Sequence, residues 1–238
     1  MSKESFGAEK IKKISPTLGG YLTEVALITR FAGRFFKEIL VPPYDFKEVL
    51  KQCYSVGCKS LGLVGITGFI MGVVLTIQAR PTLAEFGAES WLPAMVSISI
   101  IREIGPVITA LICAGKAGSG IGAELSSMKV TEQIDAMEVS GLNPFKYIVV
   151  TRIIATTLMV PFLVIYSDAI ALFGSFLAVN LTGPINFRLF YYHVFATLDF
   201  SDLLPAIIKT FFFGFTIGLV GCFKGYKSIV PEGIWERD

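Results

Sequence analysis

The sequence predicts an all-α, polytopic helical membrane protein, and three observations lead to that fold class. Of the 238 residues, 53% are hydrophobic and 17% are charged, whereas soluble domains are about a quarter charged. The mean hydropathy is +0.65. Four apolar runs follow one another along the chain, and each can cross a bilayer, which needs about 20 apolar residues. These runs cover 57–79, 92–116, 146–180 and 203–224.

The composition also excludes several classes of function. A net charge of +2 is too small to indicate binding to nucleic acid. The four cysteines form no CxxC pair and the chain has one histidine, so we expect neither a disulfide framework nor a metal site. Paired carboxylates and activated nucleophiles are not evident, so no catalytic residue is assigned and the chain is not predicted to be an enzyme. The residues concerned are Cys53, Cys58, Cys113, Cys222 and His193.

The region before the first apolar run divides into two parts. Residues 1–17 form a polar, Lys-rich segment. Residues 18–40 place apolar side chains at helical spacing, interrupted by Arg30, Arg34 and Lys37. This pattern favours an interfacial helix with its basic face at the lipid headgroups. The alternative is an amphipathic helix packed on a partner.

The third apolar run, 146–180, is about 35 residues long, which exceeds what one bilayer crossing needs. It forms either one long helix or a hairpin broken near Asp168 or Gly174. One long helix is favoured, because no cluster of turn-forming residues lies at its middle.

The distribution of basic residues predicts the orientation. Regions 1–59, 116–152 and 224–238 hold every Lys and Arg except four. Of those four, Arg102 and Lys209 lie within apolar runs, so the remaining loops hold only Arg80 and Arg188. By the positive-inside rule both termini are then cytoplasmic, which requires an even number of spans.

Arg102 and Glu103 lie inside the second apolar run. Each is costly there, about 2.5–3.5 kcal/mol at the bilayer centre on insertion scales for Arg and Asp, and such residues are functional candidates. Pro106 lacks an N–H and therefore frees the Arg102 carbonyl. These features favour the wall of a cavity over the alternative, a buried ion pair between helices such as Arg102 with Asp168.

Glycines recur at four-residue spacing in three places, Gly68–Gly72, Gly118–Gly122 and Gly214–Gly218. This spacing lets helices approach closely, and it predicts tight packing within the chain or in a homodimer. The segment around Lys116 does not form a nucleotide-binding loop, because Ala110 and Ala117 stand where that motif needs Gly and Ser or Thr. Any ATP that drives this protein is therefore expected to bind to a partner.

The segment 119–144 is polar yet rich in helix-forming residues. Thr131 is predicted to cap a short helix, which Gly141 or Asn143–Pro144 would end. A charged, Met-bearing helix between two spans suits docking into the groove of a partner. A solvated helix without a partner fits the same residues equally well.

Three segments carry a resemblance to the MlaE family of ABC-transporter permeases. The longest is REIGPVITALICAGKAGSGIGAELSSMKVTEQIDAMEVSGLNP, residues 102–144. GFIMGVVLTIQA at 68–79 and FKGY at 223–226 also resemble the family. The resemblance spans about 18–226, so that 41–226 is expected to be the permease domain.

The resemblance implies a homodimeric permease subunit in the inner membrane of a bacterium, with its N-terminus in the cytoplasm. A cytoplasmic ABC ATPase would bind ATP and Mg²⁺, and this chain would hold no cofactor. Phospholipid or a related lipid would pass to a lipid-binding partner with an MCE domain. The resemblance places the lipid cavity at Arg102, Glu103, Gln78, Leu83 and Phe86. It places the helix that couples to the ATPase at Glu124, Met128, Lys129, Glu132, Asp135 and Glu138.

The resemblance ends early. The family continues past FKGY to a fifth membrane helix, whereas residues 227–238 form an atypical tail and only four spans are predicted. Two alternatives to lipid transport stay open. One is an ion-coupled carrier or channel that uses Glu103 and Asp168 as a proton relay. The other is a truncated permease that docks the ATPase without transporting lipid.

Overall fold

A computed structural model describes residues 16–40, 45–182 and 186–227, and all regular structure in these ranges is helical. The predicted class is confirmed. Residues 228–238 of the predicted tail at 227–238 and most of the segment 1–17 lie outside the described residues. The α-helices are α1 Pro16–Ile39, α2 Phe46–Val56, α3 Leu61–Glu85, α4 Leu92–Ser99, α5 Gly105–Cys113, α6 Ser119–Val130, α7 Gln133–Val139, α8 Thr151–Thr182, α9 Phe187–Thr197 and α10 Phe200–Lys227.

Helix α1 belongs to a separate unit that ends at Tyr44. It confirms a helix over the predicted range 18–40 and begins two residues earlier, at a proline. Pro is favoured at the first turn of a helix, where its missing N–H leaves no bond unmade. That α1 lies in the membrane interface stays a prediction.

Four continuous helical segments within the described residues are long and apolar enough to cross a membrane. We call them spans 1 to 4 in chain order. Span 2 includes α4, α5 and α6, which π-helical turns at Ile100–Ile104 and Ala114–Gly118 join into one rod. The spans are Phe46–Glu85, Glu89–Val130, Phe145–Leu181 and Leu203–Tyr226.

Helix α8 in span 3 is the centre of the molecule. It is one unbroken helix of 32 residues despite Pro161 in its interior, so the prediction of a single long helix is confirmed. Span 3 is also the most buried of the four. Helices α2, α3, α5 and α10 all pack against α8, so it sets the relative positions of the other three spans.

Close packing against α8 depends on glycine in the neighbouring spans. A β-carbon added at Gly68 would lie 2.8 Å from Ser167 Oγ, and one added at Gly214 would lie 2.6 Å from Thr156 O. Likewise, β-carbons added at Gly221 and Gly225 of α10 would lie 3.1 Å from Gly118 O and 3.0 Å from the Gly122 Cα atom of span 2. All three predicted glycine pairs therefore contribute to packing within the chain.

The segment 119–144 differs from the predicted loop helix. Span 2 continues as α6 to Val130, and a tight turn at Thr131–Glu132 separates α6 from the short α7. Thr131 does not cap α7: it is the last, capping residue of α6, and its hydroxyl donates to Ser127 O at 2.9 Å. We call α6, this turn and α7 the elbow, and we call this end of the spans the elbow end.

Helix α9 was not predicted. It lies between spans 3 and 4, at the end of the molecule opposite the elbow. Asn186 caps it by accepting a hydrogen bond from the Arg188 N–H at 3.1 Å. Phe190 and Val194 are fully buried against Leu92 and Val96 of α4, so α9 is an integral part of the core at that end.

Two glycines of α3 provide a test of packing against α8. At Gly62 no atom lies within 4 Å of an added β-carbon, whereas Gly68 faces the Ser167 backbone. Gly68→Ala should lower the free energy of unfolding by about 1–3 kcal/mol, since the added methyl overpacks the contact. Gly62→Ala is the matched control and should be neutral or stabilising by up to ~1 kcal/mol, because Ala is the better helix former.

Thermal unfolding of the two purified variants in one detergent gives the comparison. Equal midpoints for Gly68→Ala and Gly62→Ala would contradict the packing of span 1 against span 3.

Candidate functional site

The π-helical turn at Ile100–Ile104 presents a charged group between spans 2 and 4. Lys209 of α10 donates hydrogen bonds to Glu103 Oε1 at 2.8 Å and to the Arg102 carbonyl at 3.0 Å. That carbonyl is available because Pro106 has no N–H, as the sequence predicts. We call Arg102, Glu103 and Lys209 the charged site.

The ion pair considered for Arg102 with Asp168 does not form, and the pair between helices is instead Glu103 with Lys209. Asp168 packs against Gly105, where an added β-carbon would lie 3.0 Å from the Asp168 Cγ atom. Its Oδ1 atom is buried and has no hydrogen-bond partner among the described residues. Only glycine at position 105 leaves room for this carboxyl group.

The charged site is open rather than buried. The Glu103 side chain is 68% exposed and that of Lys209 is 39% exposed, while Arg102 is also exposed. In water such an exposed pair contributes little to stability, because solvent screens the two charges. Inside a membrane span it lowers the cost of placing two charges there, so the exposed pair needs a polar or water-filled surrounding.

An apolar pocket of about 270 Å³ lies beside the start of span 2. It is formed between α3 and α4, at the end of the spans opposite the elbow, which we call the pocket end. Of the residues predicted for the lipid cavity, Leu83 lines this pocket, whereas Gln78 and Phe86 are exposed outside its lining. The lining residues are Leu75, Ala79, Thr82, Leu83, Met95, Val96 and Ser99.

The charged site follows the pocket along span 2. Met95 and Ser99 line the pocket, and their spacing of four residues in α4 puts them on one face. Arg102 follows Ser99 by three residues, in the π-helical turn. Met95, Ser99 and Arg102 are all exposed, so an apolar group in the pocket and a charged group at Arg102 could belong to one amphipathic ligand.

Two of the residues predicted to couple to a partner also form bonds within the chain. Glu124 Oε1 lies 2.9 Å from Arg152 Nη2, and Met128 Sδ lies 3.8 Å from the same nitrogen. Arg152 is 3% exposed and its Nη1 donates to the Ile148 carbonyl at 2.9 Å. This cluster joins α6 to the N-terminal end of α8.

The other four predicted coupling residues lie around the turn of the elbow. Lys129 and Asp135 form a 2.8 Å ion pair that braces α6 against α7. Glu132, at the bend, has a φ of 57°, a left-handed conformation that non-glycine residues seldom adopt and that marks stored backbone strain. Glu132 and Glu138 are exposed, as are the apolar side chains of Val130 and Val139.

Sequence reasoning missed Lys209 and Arg152. The sequence places Lys209 within a span, and the signal that could link it to Glu103 is the need of each intramembrane charge for a partner. Arg152 was counted only as a basic residue for orientation. Its position eight residues after Pro144, at the start of an apolar run, gives no sign that α6 covers it.

These features define a polytopic helical membrane protein with a charged site between spans and an exposed elbow at one end. Residues 49–233 match the family described as Permease MlaE, and the chain belongs to this family. It is therefore a permease subunit of the ABC-transporter class and a multi-pass inner-membrane protein.

Relatives of known name agree with the family. A probable ABC transporter permease protein of Rickettsia typhi is 33% identical over 208 residues, which is 87% of this chain and 80% of the relative. The intermembrane phospholipid transport system permease protein MlaE of Haemophilus influenzae is 34% identical over 192 residues, or 79% and 73% of the two chains. A probable ABC transporter permease protein of Pyropia yezoensis is 34% identical over 84% of this chain and 79% of its own.

The Glu124–Arg152 pair makes a test of the elbow's attachment. Glu124→Gln should lower the free energy of unfolding by about 3 kcal/mol, the low end for a broken buried pair, since Glu124 is itself half exposed. Adding Arg152→Met should recover most of the loss, because the second change removes the buried charge. Thermal unfolding of both variants in detergent measures the effect.

The exposed pair of Arg80 with Glu89, at 3.9 Å, supplies the control. Glu89→Gln should change the stability by less than about 1 kcal/mol. Additive losses in the Glu124→Gln/Arg152→Met double variant would contradict the pairing.

Proposed function

We propose that this chain is the permease subunit of an ATP-driven transporter of phospholipid, and that a partner subunit binds and hydrolyses the ATP. The observation that carries the proposal is the arrangement along span 2 of a family member: an apolar pocket, then a charged site, then an exposed elbow. The name of the Haemophilus influenzae relative supports phospholipid as the cargo.

The pocket and the charged site fit the two parts of a phospholipid. The pocket lining is strongly apolar and suits an acyl chain. At about 270 Å³ it lies below the ~300–1,000 Å³ usual for a pocket that encloses a whole ligand, so it holds only part of one. Lys209 and Arg102 offer cationic groups to a phosphate, and a second copy of the chain would close the exposed side of the cavity.

The elbow supplies the docking surface for the ATPase. The bend is held by the ion pair of Lys129 with Asp135 and by the contacts of Arg152. A displacement of α7 is therefore transmitted to α6 and to the N-terminal end of α8. Glu132 and Glu138 lie on the exposed surface of this elbow together with Val130 and Val139. An apolar patch bordered by carboxylates suits a partner surface that is apolar with a basic rim.

Orientation and the remaining partner complete the proposal. The basic residues at the elbow end support a cytoplasmic position for that end. The pocket end then faces the outer side of the inner membrane, where a lipid-binding protein with an MCE domain would exchange lipid with the pocket. Homodimerisation and this partner are both part of the proposal.

The first test is purification of the full chain from its host membrane in mild detergent, followed by mass spectrometry of bound proteins and lipids. We expect an ABC ATPase and phospholipid to copurify. The double variant Glu132→Lys/Glu138→Lys should lower ATPase recovery at least about tenfold, because like charges placed across an interface cost several kcal/mol. Lys at position 132 has the same backbone strain as Glu, so the comparison isolates charge.

The matched control for this variant is Glu89→Lys, a reversal of an exposed carboxylate at the pocket end, which should leave ATPase recovery unchanged. Recovery of the wild-type chain alone and free of lipid would overturn the proposed function. Undiminished ATPase binding by the Glu132→Lys/Glu138→Lys variant would overturn the docking role of the elbow.

The charged site is tested in vesicles that contain the purified transporter. Glu103→Gln removes the ion pair with Lys209 that joins spans 2 and 4, and we expect lipid transfer to fall several-fold because the charged site is altered. The ATPase should still copurify with this variant. A loss of assembly together with transport would mean that Glu103 acts only in packing.

An ion-coupled carrier is the second candidate, and the buried Oδ1 atom of Asp168 is the observation that favours it. The same vesicles distinguish the two functions. Proton flux that needs no ATPase and is abolished by Asp168→Asn would support the carrier. Lipid transfer that depends on ATP and survives Asp168→Asn would support the transporter.

A further inference from the structure

Helix α9 has two faces of different character. The inner face is formed by Phe190 and Val194, which are fully buried. The outer face carries Leu189, Tyr192 and Phe195, of which the last two are each 68% exposed. Arg188, also exposed, is the only charged residue within α9. An exposed face of large apolar side chains with one cation is suited to contact with a surface that is apolar and bordered by negative charge.

The connections to α9 restrict what that surface can be. Five residue steps join the end of α8 at Thr182 to Phe187, a reach of at most about 18 Å. Two residues separate the end of α9 at Thr197 from the start of α10 at Phe200. Both neighbours of α9 belong to membrane-spanning helices, so α9 cannot move away from the bilayer surface.

Other aromatic side chains are exposed at the same end of the spans. Phe86 follows span 1 and is 80% exposed, and Trp91 lies at the start of span 2 and is 62% exposed. Tyr and Trp concentrate where membrane spans meet the headgroup layer, because their rings are both apolar and polar. Tyr192 and Trp91 thus mark the depth of this layer around the pocket end.

We propose that α9 is a membrane-interface helix whose outer face, Leu189, Tyr192 and Phe195, inserts into the lipid headgroup layer at the pocket end, with Arg188 beside the lipid phosphates. The lipid surface of the same bilayer is the occupant, since short connections join α9 to spans 3 and 4 at both of its ends. Helices of this kind insert about 5–10 Å into the boundary between headgroups and acyl chains.

The position of α9 ties this surface to the pocket. Phe190 and Val194 of α9 pack in one apolar cluster with Val96 of α4, and Val96 also lines the pocket. A helix seated in the headgroup layer therefore fixes the pocket near the depth at which a lipid presents its headgroup. This inference needs only a membrane-spanning chain and does not rest on the proposed function.

The test places one tryptophan on the outer face of α9. In a chain with Trp91→Phe and Trp235→Phe, Tyr192→Trp exchanges one aromatic residue for another, and Phe195→Trp is the second variant should the first fail to fold. The full chain is reconstituted in phosphatidylcholine vesicles whose acyl chains carry bromine either near the headgroup or near the chain end. Fluorescence is measured with each lipid and with iodide added to the water.

We expect tryptophan at position 192 to be quenched most by bromine near the headgroup, less by bromine near the chain end, and weakly by iodide. The control is Thr131→Trp at the elbow, an exposed position, which should respond to iodide and not to bromine. Iodide quenching at 192 that equals the control, without an effect of bromine, would overturn the proposal in favour of a face open to water. Protection from both quenchers would overturn it in favour of a face covered by protein, such as a second copy of the chain.

Discussion

The contact between backbones along α8 is the constraint on which the rest of the structure depends. Lipid offers no hydrophobic driving force for helix association, so the spans gain stability from close packing and from hydrogen bonds between helices. Glycines in α3 and α10 bring both helices against α8 at Ser167 and Thr156. Thr76 and Ser175 add a buried hydrogen bond of 2.7 Å between α3 and α8. Because three spans share one central helix, a small displacement of α8 reaches all of them.

The functional features of span 2 come from departures from regular helix. The π-helical turn at Ile100–Ile104 and the proline that follows it leave a carbonyl for Lys209, and Gly105 gives room to Asp168. A second π-helical turn lies at Ala114–Gly118, where Lys116 donates to the carbonyl of Lys59 in span 1. Such turns cluster at functional sites because they break the regular ladder of hydrogen bonds. In both cases a lysine bonds a backbone carbonyl on a neighbouring span, which ties the irregular helix to its surroundings.

The sequence predicts the parts of this protein that depend on local composition. Hydropathy is additive along a segment, so the four spans and the unbroken α8 could be predicted, and Pro106 correctly identified the available carbonyl. Contacts between distant segments could not, because Lys209 and Arg152 reveal their partners only after α10 and α6 have packed. Helix α9 could not be predicted for a different reason. At 11 residues it is too short for a membrane span, and its mixture of aromatic and polar residues follows neither a helical nor a turn pattern. Its burial depends on α4, which begins about 95 residues earlier in the chain.

The shared use of α4 explains why the pocket lies at this end of the molecule. Met95 and Ser99 face the pocket, while Leu92 belongs to the apolar cluster that α9 covers through Phe190 and Val194. Without α9, that side of α4 would be covered by lipid. The position of α4 would then be set by the surrounding lipid rather than by the protein. Because α9 packs against one side of α4, the position of α4 is fixed while its other side stays open to the pocket. An open apolar pocket next to a rigid helix can accept a flexible acyl chain without collapsing, because the wall that faces it is already packed from behind.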